Sequence, residues 1–118
     1  IKGDSFKLEQ MIINLLDNAV KYTEKGGIVL SLEPGKNTVI FTIQDTGIGI
    51  PGDHLSRIFE RFYVVDKSRS KRLGGTGLGL SIVKHIVLFH NGKIDVQSTP
   101  GVGTKVAVAL PLDPALSL

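Results

Sequence analysis

Three groups of residues in this 118-residue chain are of types, and at spacings, that can handle an anionic ligand. The stretch Gly74-Gly75-Thr76-Gly77-Leu78-Gly79-Leu80 alternates glycine with small or apolar residues and then enters a helix-period pattern in which Leu78, Ile82, Ile86 and Phe89 recur every three or four positions. A helix that starts inside a glycine loop leaves its first N–H groups unpaired at the positive end of its dipole, where phosphate can approach them directly. Asn14 and Asn18 are helical neighbours one turn apart, with Lys21 almost a turn further on. Two neutral oxygen donors and a cation can hold a hydrated Mg²⁺ and a phosphate without adding anionic repulsion. Asp45 stands at the end of a strand-like run, beside Gly47, Ile48, Gly49 and Ile50. A carboxylate there can accept a hydrogen bond from an exocyclic amine lying on an apolar floor.

Each group taken alone also has a plain structural explanation. The glycine loop can be a flexible turn, the asparagines a solvated helix face, and Asp45 a turn-initiating residue. Gly47, Gly49 and Gly52 match the spacing G-x-G-x-x-G. That match is rejected, because the strand-helix-strand context is missing, Pro51 interrupts the loop, and an acidic residue already stands where the first turn would begin. No Walker A spacing occurs either.

The elements that must position these residues follow from periodicity and punctuation. Asp4 is the expected N-cap of a helix from about Ser5 to Tyr22, whose apolar positions cover well over half its circumference and imply packing on most sides. Ile28 to Leu32 and Thr38 to Gln44 read as antiparallel strands joined at Pro34-Gly35-Lys36-Asn37. A short helix is expected around Asp53 to Ile58, followed by Phe59-Glu60-Arg61-Phe62-Tyr63. Val64 to Leu73 show no periodicity and carry Lys67, Arg69, Lys71 and Arg72, so a cationic lid over about residues 64–75 fits better than a plain linker, although a solvated charge run has the same composition. After the central helix, with Gly92 as its expected C-cap, Lys93 to Ser98 and Thr104 to Leu110 form a second hairpin. Asp113 to Leu118 read as a frayed tail.

Length and composition fit one domain with a real core. The absence of cysteine excludes disulfides and thiolate metal ligands. No apolar run is long enough to span a bilayer, and no signal peptide opens the chain. Lys and Arg exceed Asp and Glu by 14 to 11, but aromatic and basic residues are not interleaved, so nucleic acid is not an expected partner. The start at Ile1, with Met11 inside a helix, points to a piece of a longer protein.

Asn14-Leu15-Leu16-Asp17-Asn18-Ala19-Val20-Lys21-Tyr22-Thr23, Asp45-Thr46-Gly47-Ile48-Gly49-Ile50, Phe59-Glu60-Arg61-Phe62-Tyr63, Gly75-Thr76-Gly77-Leu78-Gly79-Leu80 and Gly101-Val102-Gly103-Thr104 stand in this order along nearly the whole chain. They closely resemble the N, G1, F, G2 and G3 boxes of the catalytic ATP-binding domain of bacterial sensor histidine kinases, of the wider gyrase and heat-shock-chaperone ATPase group. The resemblance implies an α/β (α+β) two-layer sandwich, a mostly antiparallel sheet with helices on one face, and ATP held between the helical layer and the lid.

It also implies roles. Asp45 accepts from the adenine amino group with Thr104 close by, and Tyr22, Ile48 and Ile50 wall the ring. Asn14 and Asn18 serve Mg²⁺ and the phosphates, and Lys21 reaches the phosphates. Gly47 and Gly49 shape the adenine loop, while Gly75, Thr76, Gly77, Leu78, Gly79 and Leu80 form the phosphate loop. Arg61 is the candidate for charge stabilisation at the transferred group. None of His54, His85 and His90 is followed by the Glu or Asp of the family's phosphoacceptor motif. The acceptor is therefore expected upstream, in a dimerisation domain of a homodimeric parent that addresses a response regulator. This fragment is expected to be monomeric and cytoplasmic, with an inner-membrane anchor open for the parent. Part of the first strand region is expected to be missing, which exposes one sheet edge. Asn14 occupies the place where related water-splitting ATPases carry a Glu, so efficient hydrolysis is disfavoured. A serine-kinase anti-sigma factor of the same fold and a non-catalytic nucleotide-gated module are the alternatives.

Overall fold

The computed structural model describes residues 4–23, 25–61, 63 and 79–111. Helix α1 spans Ser5–Lys21, and its N-terminus is capped as expected: the Lys7 N–H donates to Asp4 Oδ1 at 3.0 Å. Tyr22 is the C-cap residue, and its N–H donates to the Asn18 carbonyl at 3.2 Å. Strands β1 (Ile28–Pro34) and β2 (Thr38–Asp45) form the first hairpin, and β3 (Lys93–Thr99) and β4 (Gly103–Pro111) the second. Helix α2 spans Gly79–Phe89. All strand pairs are antiparallel in the order β1-β2-β4-β3, so the two hairpins meet along β2 and β4. Among the described residues β1 and β3 are the sheet edges.

The core follows from two periodicities. Val106, Val108 and Leu110 alternate along β4 and are buried on one sheet face, with Ile43 of β2 paired in register with Val106. Met11, Leu15 and Ala19 recur every four residues on α1, and Val83, Ile86 and Val87 of α2 join them over that face. The expectation that α1 is packed on most sides is corrected here. Phe6, Ile13 and Val20 are 75%, 54% and 62% exposed, because a single helical layer on a single sheet face can cover only one side of α1.

Two smaller expectations change as well. The short helix expected around Asp53 to Ile58 is instead a 3-10 helix over Gly52–His54 followed by further turns. Six residues after a proline are too few to repay α-helix nucleation, whereas three-residue turns close at once. At the end of α2 the left-handed residue is Asn91, at φ 59°, and the Gly92 N–H then closes on the Val87 carbonyl at 2.9 Å.

His90 shows how the two helices are tied. It is buried, and its Nδ1–H donates to the Ile86 carbonyl at 2.8 Å. That assignment leaves Nε2 to accept from the Asp4 N–H at 3.0 Å, which fixes the start of α1 to the end of α2. His85 is exposed. No helix among the described residues is long and apolar enough to cross a membrane. Leu15→Ala should cost about 2–5 kcal/mol in urea unfolding with an unchanged slope, whereas Ile13→Ala should stay within about 0.5 kcal/mol. Equal costs would mean that the outer side of α1 is covered.

Candidate functional site

The candidate site is built at the end of β2. Register places Asp45 between Ile28 of β1 and Thr104 of β4. Its Oδ1 accepts from the Gly47 N–H at 2.9 Å and from the Thr104 N–H at 3.3 Å, so one carboxylate oxygen joins the loop after β2 to the neighbouring strand.

That loop is sewn down on both sides. The Thr46 N–H donates to the Gly27 carbonyl at 3.1 Å, and the Ile48 N–H donates to the Tyr22 carbonyl at 3.1 Å. On the other side the Ile48 carbonyl accepts from the Gly101 N–H at 2.8 Å, and Ser98 Oγ accepts from the Ile50 N–H at 2.7 Å. Gly47 lies so close to α1 that a Cβ would stand 2.0 Å from the Tyr22 carbonyl oxygen. Gly49 has φ +74°, and a Cβ there would stand 2.3 Å from the Thr99 carbonyl oxygen. The glycines are required because backbone passes backbone at these points.

Ser98 and Thr104 complete this end. They face each other in register, and their hydroxyl oxygens are 2.8 Å apart. A consistent arrangement has the Thr104 hydroxyl donating to Ser98 Oγ, which in turn donates to the Gly103 carbonyl at 3.1 Å. Sequence reasoning missed Ser98; the strand alternation that pairs it with Thr104 was the available signal.

The other residues singled out from sequence lie on three further segments. Asn14 and Asn18 sit one turn apart on α1, both partly buried, and Asn14 Nδ2 is buried with no hydrogen-bond partner. Thr23 Oγ1, just past the end of α1, is also buried and unpartnered, and was likewise missed. Lys21 Nζ pairs with Asp17 Oδ2 at 3.0 Å across one turn. Gly79 and Leu80 open α2. Arg61 is exposed and stands in the turn closed by the Tyr63 N–H on the Glu60 carbonyl at 3.2 Å. Beside it Arg57 Nε donates to Glu60 Oε2 at 2.7 Å, and this bond holds the Glu60 carboxyl below its ordinary range. The structure thus brings Tyr22, Asp45, Gly47, Ile48, Gly49, Ile50 and Thr104 into one cluster. Gly75, Thr76, Gly77, Leu78, the lid over about 64–75 and the tail 113–118 lie outside the described residues.

No group of three or more His, Asp or Glu side chains able to hold a metal occurs among the described residues. A cation here would need neutral oxygen ligands. The Asn14–Asn18 pair can supply such ligands through its amide oxygens, which suit a hard cation, while the unpartnered Asn14 Nδ2 is a donor suited to a phosphate oxygen.

The profile of the histidine kinase-, DNA gyrase B- and HSP90-like ATPases matches residues 3–114. The chain belongs to this family. It is 44% identical over 108 residues to the sensor histidine kinase YkoH of Bacillus subtilis, covering 92% of this chain and 24% of that protein. Among these ATPases, the mycobacterial sensor histidine kinase MprB has a similar structure, with TM-score 0.84, 35% identity and coverage of 94% of this chain and 76% of that one. Full-length ShkA in complex with AMPPNP gives TM-score 0.77 and 35% identity over 89% of this chain and 21% of that one. The chain spans about a quarter of the length of the curated relatives it matches. Among the described residues, its antiparallel four-stranded sheet with two α-helices is the family's α+β architecture, as the sequence led us to expect.

The close approach at Gly47 has a direct test. Gly47→Ala should lower stability by roughly 1–3 kcal/mol, whereas Gly27→Ala, which meets nothing within 4 Å, should change it by less than about 0.5 kcal/mol. Thermal unfolding of both variants measures the difference; a harmless Gly47→Ala would contradict the loop geometry.

Proposed function

We propose that this chain is the Mg²⁺-ATP-binding catalytic domain of a two-component sensor histidine kinase. In this reading residues 1–118 form one catalytic domain with a lid at about 64–75, and the phosphoacceptor histidine belongs to a separate helical dimerisation domain of a homodimeric parent, which then addresses a response regulator. The observation that carries the reading is the Asp45 carboxylate. Both backbone donors converge on Oδ1, which leaves Oδ2 to accept from an exocyclic amine. Adenine offers such an amine where guanine offers a carbonyl, and the half-exposed Ile48 and the adjacent Ile50 supply apolar surface for the ring.

From the adenine end, the triphosphate would extend toward Asn14, Asn18 and Lys21 of α1. Asn14 and Asn18 would hold Mg²⁺, whose contribution when bound is to neutralise charge on the phosphate oxygens. Lys21 is within reach of the same face of α1, and a triphosphate competes well with the exposed Asp17 carboxylate for its ammonium group. Gly75, Gly77 and Gly79 would present backbone amides to the phosphates. The transfer breaks the bond from the γ-phosphorus to the β,γ-bridging oxygen and forms a bond to an imidazole nitrogen, releasing ADP. An in-line arrangement and charge stabilisation carry such a reaction, and Arg61 is assigned the second task. Asn14 cannot serve as a base toward water, which favours transfer over hydrolysis.

In the intact parent kinase, Arg61→Ala should leave the KM for ATP within about threefold and lower kcat for histidine phosphorylation roughly ten- to a hundredfold. The measurement is incorporation of label from γ-labelled ATP. Unchanged incorporation would remove Arg61 from the mechanism.

A further inference from the structure

His54, Arg57, Glu60 and Tyr63 recur every three residues, and the backbone joining them is a ladder of three-residue turns. The Arg57 N–H donates to the His54 carbonyl at 2.9 Å, the Glu60 N–H to the Arg57 carbonyl at 2.9 Å, and the Tyr63 N–H to the Glu60 carbonyl at 3.2 Å. A three-residue period brings such side chains to one face. Here the ladder curls until its ends meet: the Tyr63 hydroxyl hydrogen-bonds His54 Nδ1. The Arg57 guanidinium lies 4.5 Å over the Tyr63 ring while its Nε binds Glu60 at 2.7 Å, so the side chains link in the order His54–Tyr63–Arg57–Glu60, and the His54–Tyr63 bond closes the backbone ladder into a ring.

The segment is also anchored from behind. Ile58 is buried, and Lys84 Nζ of α2 stands 5.3 Å over the Phe59 ring. An exposed ion pair such as Arg57–Glu60 contributes little by itself. The ring closes only through the partly buried His54–Tyr63 bond. Arg61 is the second residue of the turn that Glu60 and Tyr63 bound, so its backbone direction is set where the ring closes.

We propose that His54 and Tyr63 are positioning residues for phosphoryl transfer: their hydrogen bond latches the turn that presents Arg61. The proposal rests on the role given to Arg61 above.

The test uses the intact parent kinase, with kcat and KM for ATP measured in labelled-phosphate incorporation. Tyr63→Phe should lower kcat roughly tenfold, with the KM for ATP within about twofold. It should have no further effect in an Arg61→Ala background, because a residue acting through Arg61 has nothing left to position. His54→Asn, which keeps a polar atom near the Nδ1 position, should retain more kcat than His54→Leu. Normal kcat for Tyr63→Phe alongside a strongly impaired Arg61→Ala would overturn the latch and leave the role of Arg61 standing. Losses that multiply in the double variant, or equal losses in the two His54 variants, would show a general structural role and also overturn it. An unimpaired Arg61→Ala would remove the reading on which the latch rests.

Discussion

One carboxylate oxygen holds the site together. Asp45 Oδ1 takes N–H groups from Gly47, in the loop that follows its own strand, and from Thr104, on the neighbouring strand β4. That junction ties the carboxylate to a loop whose Ile48 and Ile50 are themselves held by Tyr22, Gly101 and Ser98, so the apolar surface has a fixed place beside the carboxylate. Both bonds to Asp45 fall on Oδ1, which leaves Oδ2 as the acceptor available at the strand end. A selective contact needs an acceptor whose direction is set before the ligand arrives. The central position of β2 and β4 supplies that rigidity, because each is paired on both sides.

The division of labour along the chain follows from where rigidity is available. The end of the sheet fixes the acceptor and its apolar surroundings. Helix α1 carries Asn14, Asn18 and Lys21 on a partly buried stripe that flanks the buried row of Met11, Leu15 and Ala19, so the polar stripe can serve a ligand at the border of the core. Arg61 belongs to a different element, a curled run of three-residue turns, where a small change of backbone angle redirects a long side chain. In the proposed reading, base recognition and charge stabilisation then fall on separate elements, so one part can stay fixed while the other is adjusted.

Much of this was legible in the sequence, for identifiable reasons. Strand alternation and the turn at Pro34–Asn37 specified the hairpins, and Asp4 announced the start of α1 to the residue. The importance of Gly47 and Gly49 was readable from their place beside Asp45, although the reason, carbonyl oxygens of Tyr22 and Thr99 lying where side chains would be, needed the tertiary structure. What could not be read were contacts between distant segments. His90 gains meaning only from reaching Asp4, 86 positions away, whereas the register of Ser98 with Thr104 in one hairpin was available from strand alternation. The packing of α1 was overestimated because apolar residue count does not say how many neighbours a fold provides. Phe6, Ile13 and Val20 recur every seven residues, yet among the described residues no element covers them.

The central claim is that Asp45 selects an adenine nucleotide. Calorimetric titration with ATP and with GTP, with and without Mg²⁺, of this chain and of Asp45→Asn tests it most directly. In the variant the amide oxygen can still accept from Gly47 and Thr104, but an NH₂ group then faces the ligand amine, donor against donor. The account predicts binding selective for ATP, and a loss of roughly tenfold or more in the variant with little loss for GTP. Equal affinity of Asp45→Asn and the parent sequence for ATP, with the fold intact, would contradict it.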